Sequence, residues 1–149
     1  MSTETVTIRP LRANDRTAWR ALWQGYLAFY ETRVDEDTYA HTFARLLDPG
    51  VDAMGCLIAE KGGAPVGLVH FISHPHNWRI EDVIYLQDLY ADPSVRGIGV
   101  GRKLIEAVYA EADRRGTPSV YWLTQDFNAT ARVLYDRVAT LTPFVKYQR

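Results

Sequence analysis

The stretch Arg96-Gly97-Ile98-Gly99-Val100-Gly101 carries the strongest structural signal in this 149-residue chain. It lies between the strand-like run Ile84–Ala91 and the helix-like run Arg102–Arg115. Glycine has no Cβ, so the backbone of such a turn can approach a ligand closely. The first N–H groups of the following helix lack intrahelical partners and carry partial positive charge. The stretch therefore predicts a strand, a turn and a helix N-terminus that together bind an anion, most often phosphate.

Two well-known phosphate-binding patterns do not fit this stretch. A dinucleotide fingerprint, G-x-G-x-x-G, needs its third glycine one position later than Gly101 and lies early in a βαβ unit. A P-loop ends in Gly-Lys-Ser/Thr, whereas Arg102 and Lys103 follow Gly101. The pattern that does fit is R-x-x-G-x-G, read at Arg96, Gly99 and Gly101.

Composition and charge indicate one globular domain over residues 1–149. The hydrophobic share is 47% and the net charge is −1, so the chain lacks the basic field that nucleic-acid binding requires. No apolar run approaches the roughly 20 residues of a membrane span. The single cysteine, Cys56, excludes an internal disulfide and fits a reducing compartment. With a polar start at Met1–Glu4, the sequence predicts a cytoplasmic protein with no nucleic-acid or membrane partner.

Hydrophobic periodicity predicts alternating strands and helices. The predicted strands are Val6–Leu11, Met54–Glu60, Pro65–Ser73, Ile80–Ala91, Ser119–Thr124 and Phe144–Tyr147. Four helices are predicted. The first follows Asn14 or Asp15, either of which can be its N-cap, and the second contains Tyr39 to Leu47. The third spans Arg102–Arg115 and the fourth Asn128–Val138. Strand Ile80–Ala91 is apolar on both faces, which predicts a central strand covered by helices on each side. Simple alternation places Val83, Tyr85 and Leu89 on one face and Ile84, Leu86 and Tyr90 on the other.

Three motifs in this order resemble the GNAT superfamily of N-acetyltransferases. They are Tyr85–Leu89 before the turn, Arg96–Gly101 within it, and Asn128–Tyr135 near the end. Within the superfamily, the chain is most similar to the branch of spermidine/spermine acetyltransferases and Hpa2-like amine and histone acetyltransferases. The resemblance implies a mixed α/β fold whose central, mostly antiparallel sheet has six to seven strands flanked by about four helices. It also implies a homodimer.

The resemblance implies acetyl-CoA as cosubstrate, with pyrophosphate on the amides of Gly97–Arg102 and the pantetheine arm along Leu89–Ala91. The residues expected to contact it are Leu89, Tyr90, Ala91, Arg96, Gly97, Ile98, Gly99, Val100, Gly101, Arg102, Asn128 and Ala131. Asn128 is also a candidate helix N-cap. No metal is expected, because His70, His74 and His76 have no nearby residues that complete a ligand set.

The resemblance also assigns the catalytic groups. Tyr135 matches the family tyrosine that protonates the departing thiolate. Related enzymes often carry a glutamate base where this chain has Gln87, and a glutamine can only position a water. The adjacent Asp88 points to the opposite face of a regular strand and reaches the same site only through a bulge. Two alternatives follow: Asp88 is the base, or Asp88 is structural and the base is a water.

The acceptor site is predicted near the first two helices, where Tyr26, Tyr30 and Glu31 lie. Aromatic rings and carboxylates attract a cationic amine. Alternatively, the segment is a solvated loop whose Asp35–Asp37 favour the next helix N-terminus. The predicted reaction is direct acetyl transfer to a small amine, polyamine or amino-acid amine, with a basic protein tail as second choice. The competing hypothesis is a non-catalytic acyl-CoA sensor that has lost its base.

Overall fold

Five strands and four helices form the part of the chain that the computed structural model describes, residues 5–149. The strands are β1 (Val6–Pro10), β2 (Met54–Lys61), β3 (Ala64–His74), β4 (Val83–Ala91) and β5 (Val120–Tyr121). The helices are α1 (Arg16–Phe29), α2 (Glu36–Leu47), α3 (Val100–Arg114) and α4 (Ala129–Val138), with short 3₁₀ turns at Ala13–Asp15 and Pro93–Val95. None of these helices has the length and apolarity needed to cross a bilayer.

The strands form one sheet in the order β1-β2-β3-β4-β5. The first four pair antiparallel, and β5 pairs parallel with β4 after the α3 crossover. The predicted mixed, mostly antiparallel class is therefore confirmed, with five strands rather than six to seven. The predicted strand Phe144–Tyr147 is wrong, because this segment is exposed coil. A strand needs a neighbour for its backbone groups, and β5 is too short to offer one.

Helices cover both faces of the sheet, as the two-faced β4 predicts. On one face, α3 presents Leu104, Ile105 and Val108 to the sheet, and all three side chains are fully buried. On the other face, α1 and α2 close a second core rich in aromatic rings, which contains Trp19, Leu22, Trp23, Leu27, Tyr39 and Phe43. β3 and β4 lie between the two cores. Burial on both faces explains why their sequences read as nearly continuous apolar runs.

A bulge at Gln87 interrupts the pairing of β4 with β3. Asp88 lies opposite His70, whereas Leu86 lies opposite Phe71, so Gln87 has no partner on β3. An extra residue shifts the alternation of side chains by one position. The bulge therefore turns Asp88 to the face that carries His70.

This shift corrects the predicted faces of β4. Ile84, Leu86 and Leu89 all pack in the core beneath α3, whereas Tyr90 packs beneath α1. Simple alternation put Leu89 with Tyr85 and Tyr90 with Leu86, which is wrong because the bulge lies between the two halves of the strand. The strand also begins at Val83 rather than at Ile80.

The caps of the first two helices differ in kind. Asp15 accepts the backbone N–H of Arg12 at 2.7 Å and therefore closes the 3₁₀ turn that precedes α1. The Arg9 guanidinium also binds this carboxylate and lowers its pKa. Asp35 accepts the backbone N–H of Thr38 at 2.8 Å and caps α2. The alternative in which the acidic segment before α2 favours the helix N-terminus is thus confirmed for Asp35.

We expect Gly55→Ala to destabilise the fold. Gly55 lies opposite Phe71 on β3, and a methyl group there would come within 2.3 Å of the buried ring. Overpacking of this kind costs about 1–3 kcal/mol in free energy of unfolding, measurable by urea denaturation followed by circular dichroism. Adding Phe71→Leu should make the double variant more stable than the sum of the two single effects. An unchanged urea midpoint for Gly55→Ala would contradict this tight contact.

Candidate active site

The glycine turn places the start of α3 at the surface. Gly97 has φ 88° and Gly99, the N-cap of α3, has φ 86°, both in the left-handed region. A Cβ at either position would meet no atom within 4 Å. The glycines are therefore required by backbone conformation and not by crowding within the chain. The space above them is open to a ligand.

Six consecutive amides at this turn have no partner in the described part of the chain. None of the N–H groups from Gly97 to Arg102 donates a hydrogen bond to another residue, and no side chain caps α3. The buried side chain of Val100 holds the turn against the core. Unpartnered amides at a helix N-terminus fit the oxygens of a phosphate or pyrophosphate. This geometry fits the pyrophosphate of acetyl-CoA.

The cationic side chains beside this turn already have other partners. The Arg102 guanidinium donates to Glu106 at 3.0 Å. The Arg96 Nε donates to the carbonyl of Ala91 at 3.3 Å, and its guanidinium lies 5.6 Å from the centre of the Tyr90 ring. Ile98 projects into solvent. The backbone amides of the turn are therefore unpartnered, whereas Arg96 and Arg102 each have one hydrogen bond through Nε.

One edge of β4, the strand that precedes the glycine turn, is partly open. β5 pairs with β4 only at Ile84 and Tyr85, and no other strand within residues 5–149 pairs with the rest of that edge. Asp92 donates its N–H to Val66 of β3 at 2.8 Å, which orients this end of β4. Because backbone groups of successive residues point to opposite edges, Leu89 and Ala91 direct theirs toward the open edge. Tyr90 directs its backbone groups toward β3.

Asp88 is a buried carboxylate on β4, on the face of the sheet that α1 covers. Its Oδ2 lies 2.8 Å from His70 Nδ1 and accepts the indole N–H of Trp23 at 3.2 Å. Gln87 remains exposed at the bulge, and its carbonyl accepts the Tyr26 hydroxyl at 3.4 Å. The structure therefore separates the two predicted candidates for the base: Asp88 is buried and hydrogen-bonded, whereas the Gln87 side chain faces solvent.

Tyr26, Tyr30 and Tyr85 lie near this carboxylate, Tyr121 stacks on Tyr85, and Tyr135 lies near Tyr30. We call these five residues the tyrosine cluster. The rings of Tyr26 and Tyr30 lie 5.1 Å apart, and those of Tyr85 and Tyr121 stack at 4.9 Å. Burial raises the pKa of Tyr26, Tyr30 and Tyr85, and the charge of Asp88 raises each further. Asp88 therefore acts electrostatically on the same space that these hydroxyls face. The cluster is an aromatic site with one carboxylate, suited to a cation.

Tyr135 joins the cluster from α4. Its ring packs edge-on against Trp122 with centroids 5.4 Å apart. Burial, with a smaller contribution from Tyr30, raises the pKa of Tyr135 to about 12. The phenol therefore keeps its proton at neutral pH and can act as a proton donor. Its hydroxyl makes no hydrogen bond to another described residue.

The start of α4 confirms the capping role predicted for Asn128. Its side chain accepts the N–H of Ala131 at 3.4 Å and donates to Thr124 at 3.4 Å. The Ala131 amide is thus occupied within the chain. Glu31 lies exposed at the turn after α1, with φ 55°. The structure brings Tyr26 and Tyr30 into the tyrosine cluster, whereas it leaves Glu31 at the surface.

Sequence reasoning missed several residues of this site. From the sequence, His70 is considered only in the context of a metal site, and no tryptophan is assigned a polar role. A buried indole N–H needs an acceptor, and that rule indicates that Trp19 and Trp23 have polar partners. No pattern in the sequence identifies His70 and Asp88 as those partners, because they lie on β3 and β4, far from α1 in sequence. Among residues 5–149, no group of three or more histidine, cysteine or acidic side chains is placed to hold a metal ion.

Comparison with known proteins agrees with this geometry. The model of the acetyltransferase (GNAT) family matches residues 18–139. The chain is 39% identical over 150 residues to the D-amino-acid N-acetyltransferase HPA3 of Saccharomyces cerevisiae, covering 100% of this chain and 93% of the relative. It is 33% identical over 88 residues to the thialysine N-epsilon-acetyltransferase of Bos taurus, covering 54% of this chain and 51% of that protein.

Solved structures share the fold. The aminoglycoside N-acetyltransferase AAC(6')-Iy in complex with CoA superposes with a TM-score of 0.85 at 20% identity, covering 99% of this chain and 96% of that one. The ribosomal-protein-alanine N-acetyltransferase of Brucella melitensis biovar Abortus 2308 gives 0.80 at 21% identity, with 97% and 98% covered. The family match and the yeast relative together confirm the resemblance predicted from the three motifs: this chain belongs to the GNAT family and is an acyltransferase of the N-acetyltransferase type.

Proposed function

We propose that residues 1–149 form one N-acetyltransferase domain that moves an acetyl group from acetyl-CoA directly to a primary amine. Acetyl-CoA is the cosubstrate, consistent with the family. The proposed acceptor is a small amine, a polyamine or an amino-acid amine, with a basic protein tail as second choice. The observation that carries the proposal is the position of the open β4 edge between the unpartnered amides of the turn and the tyrosine cluster.

The donor half of the site follows from the backbone. The amides of Gly97–Arg102 offer donors to the pyrophosphate, and the open-edge groups of Leu89 and Ala91 can pair with the amides of the pantetheine arm as an added strand would. The thioester supplies an acyl group that is open to attack by an amine. The backbone groups of the turn and of β4 orient the thioester toward the tyrosine cluster. Free N–H groups of β4 stabilise the negative charge that develops on the thioester oxygen.

The acceptor half uses Asp88. A substrate ammonium must lose its proton before its nitrogen can attack, since only the neutral amine has a lone pair. The Asp88 carboxylate attracts the ammonium into the tyrosine cluster and accepts that proton. Its burial and its position opposite His70 favour this role over the alternative in which Gln87 positions a water.

Tyr135 completes the transfer. When the C–S bond breaks, the thiolate needs a proton, and the phenol of Tyr135 is protonated throughout the neutral range. Its hydroxyl is free to donate, because it has no partner among the described residues. Asp88 takes up the first proton of the ammonium before attack. As the C–S bond breaks, Tyr135 protonates the thiolate, and the second proton lost by the new amide nitrogen restores the Tyr135 phenol.

The yeast relative indicates which acceptor to test first. That protein is named as a D-amino-acid N-acetyltransferase, and it is similar to this chain over its whole length. An amino-acid amine is therefore our first choice within the proposed class. The cytoplasmic location and the homodimer also remain proposals. In support of the homodimer, the apolar side chains Leu141, Phe144, Val145 and Tyr147 are exposed at the end of the chain, where a second copy would cover them.

An amine panel tests the proposed function. We expect release of CoA thiol from acetyl-CoA when D- and L-amino acids, polyamines, small aliphatic amines or a basic peptide are supplied. Thiol release is followed with a thiol-reactive chromophore, and the acetylated product by mass spectrometry. Binding of CoA without turnover of any amine would overturn the proposed reaction and favour the acyl-CoA sensor.

Replacing Tyr135 tests the proton donor. Tyr135→Phe should lower kcat at least about tenfold and leave the Kd for CoA nearly unchanged, because it removes only the phenol oxygen. Since the pKa of Tyr135 is raised to about 12, the proton is present at lower pH and is lost only as pH rises through that value. The wild-type rate should therefore show no loss assignable to this group between pH 6 and 10. Full activity of Tyr135→Phe would remove Tyr135 from the mechanism.

Two glycines of matched conformation test the cofactor turn. Gly99 precedes α3 with φ 86°, and Gly116 follows α3 with φ 72°; a Cβ at either would meet no atom within 4 Å. Alanine in the left-handed region costs about 1–2 kcal/mol of stability at both positions. Only Gly99→Ala should also weaken CoA binding, by about tenfold or more in calorimetry, because it lies beside the unpartnered amides. Equal loss of CoA affinity in both variants would contradict the assignment of the turn.

A further inference from the structure

A chain of hydrogen bonds runs behind Asp88 into the core between α1 and the sheet. The indole N–H of Trp19 donates to His70 Nε2 at 2.9 Å, and His70 Nδ1 lies 2.8 Å from Asp88 Oδ2. Trp23 donates to the same carboxylate oxygen. Trp19 is 1% exposed and His70 is 5% exposed. The acetyl-transfer proposal gives Trp19 no role and uses His70 only as the residue opposite Asp88.

The hydrogen bonds define the protonation state of this imidazole. An indole N–H is only a donor, so His70 Nε2 must be the acceptor and carries no proton. The proton of the neutral ring is then on Nδ1, where it donates to Asp88. Protonation of Nε2 would set two N–H donors against each other in a buried place. Trp19 therefore opposes the imidazolium form of His70.

This state sets the net charge of the acceptor site. A protonated His70 would form a neutral ion pair with Asp88, and the pair would no longer attract an ammonium ion. A neutral His70 leaves the pair with the full negative charge of the carboxylate. Among residues 5–149, the other titratable groups facing this pair are the Cys56 thiol on β2, Tyr26 on α1, Tyr30 just after α1 and Tyr85 on β4, with Tyr39 of α2 against both tryptophans. Burial raises the pKa of Cys56 and Tyr26, so both stay neutral.

We propose that Trp19, acting through His70, is a positioning residue that keeps the acceptor site anionic and thereby selects a cationic amine. The inference rests on the proposed function, in which Asp88 receives that amine. It predicts a site that binds a single ammonium group in the tyrosine cluster independently of pH in the neutral range. Neither Trp19 nor His70 touches the substrate in this scheme.

The test is the variant Trp19→Phe, which removes the N–H donor and keeps an aromatic ring. The probe is tetramethylammonium, which keeps its charge at every pH and cannot be acetylated, with binding followed by ligand-observed NMR. In wild type, affinity should change less than about twofold between pH 8 and pH 6. In Trp19→Phe it should fall about tenfold over this range, because His70 can then take a second proton and neutralise Asp88.

Two further variants separate this effect from damage to the core. Phe43→Leu disturbs the ring that packs 5.1 Å from Trp19 but leaves the hydrogen bonds intact, so its pH dependence should match wild type. Adding His70→Asn to Trp19→Phe supplies an amide that donates to Asp88 and does not titrate. The double variant should lose the pH dependence that Trp19→Phe creates.

The ¹⁵N shifts of the imidazole provide a readout that does not depend on binding. They should show a single proton, on Nδ1, at pH 7 in the wild-type protein, and this measurement decides the question even if Trp19→Phe does not fold. An imidazolium in wild type, no binding of tetramethylammonium to wild type, or identical pH dependence in wild type and Trp19→Phe would overturn the inference. A lack of turnover in the amine panel overturns the proposed function instead, because the probe reports the charge of the site without catalysis.

Discussion

At Gln87 one residue of β4 has no partner on β3, and both halves of the site depend on this offset. Beyond it, Asp88 lies opposite His70 and beneath α1, where the tryptophan N–H groups are. The same offset keeps Leu89 in the core beneath α3. A regular strand would direct Asp88 toward the largely apolar core beneath α3, away from the donors Trp23 and His70.

The buried polar chain behind Asp88 shows how the core and the site share residues. A carboxylate taken out of water is costly unless hydrogen bonds replace the lost solvation. Here, the two indoles and one imidazole that fill the α1 side of the core also provide that hydrogen bonding. The aromatic packing of Trp19 with Trp23 and Phe43 fixes the direction of these donors. Core packing therefore positions the donors that hold the buried Asp88 carboxylate.

The sequence was informative where structure is local. Asn128 and Asp35 cap their helices as short-range rules predict, and the turn before α3 forms where its glycines indicate. It was less informative where a segment depends on a distant partner. Phe144–Tyr147 has the composition of a strand, but no described neighbour offers it a free edge. The faces of β4 were predicted correctly only up to the bulge, because alternation assumes one residue per step.

By itself, the sequence determined the family, the order of most elements and the anion-binding turn. These depend on residue types at fixed spacing, such as Gly97 and Gly99 before a helix, and such spacing survives without knowledge of distant contacts. Only the tertiary structure showed that Asp88 is buried whereas Gln87 is exposed, and joined Asp88 to His70 and Trp19. Those arrangements depend on register and on side chains that meet from distant positions: His70 and Asp88 are 18 positions apart on two strands, and Trp19 on α1 is 51 positions from His70. A shift of one residue in register moves every side chain of a strand to the opposite face of the sheet. No local pattern in this chain specifies the register of β4.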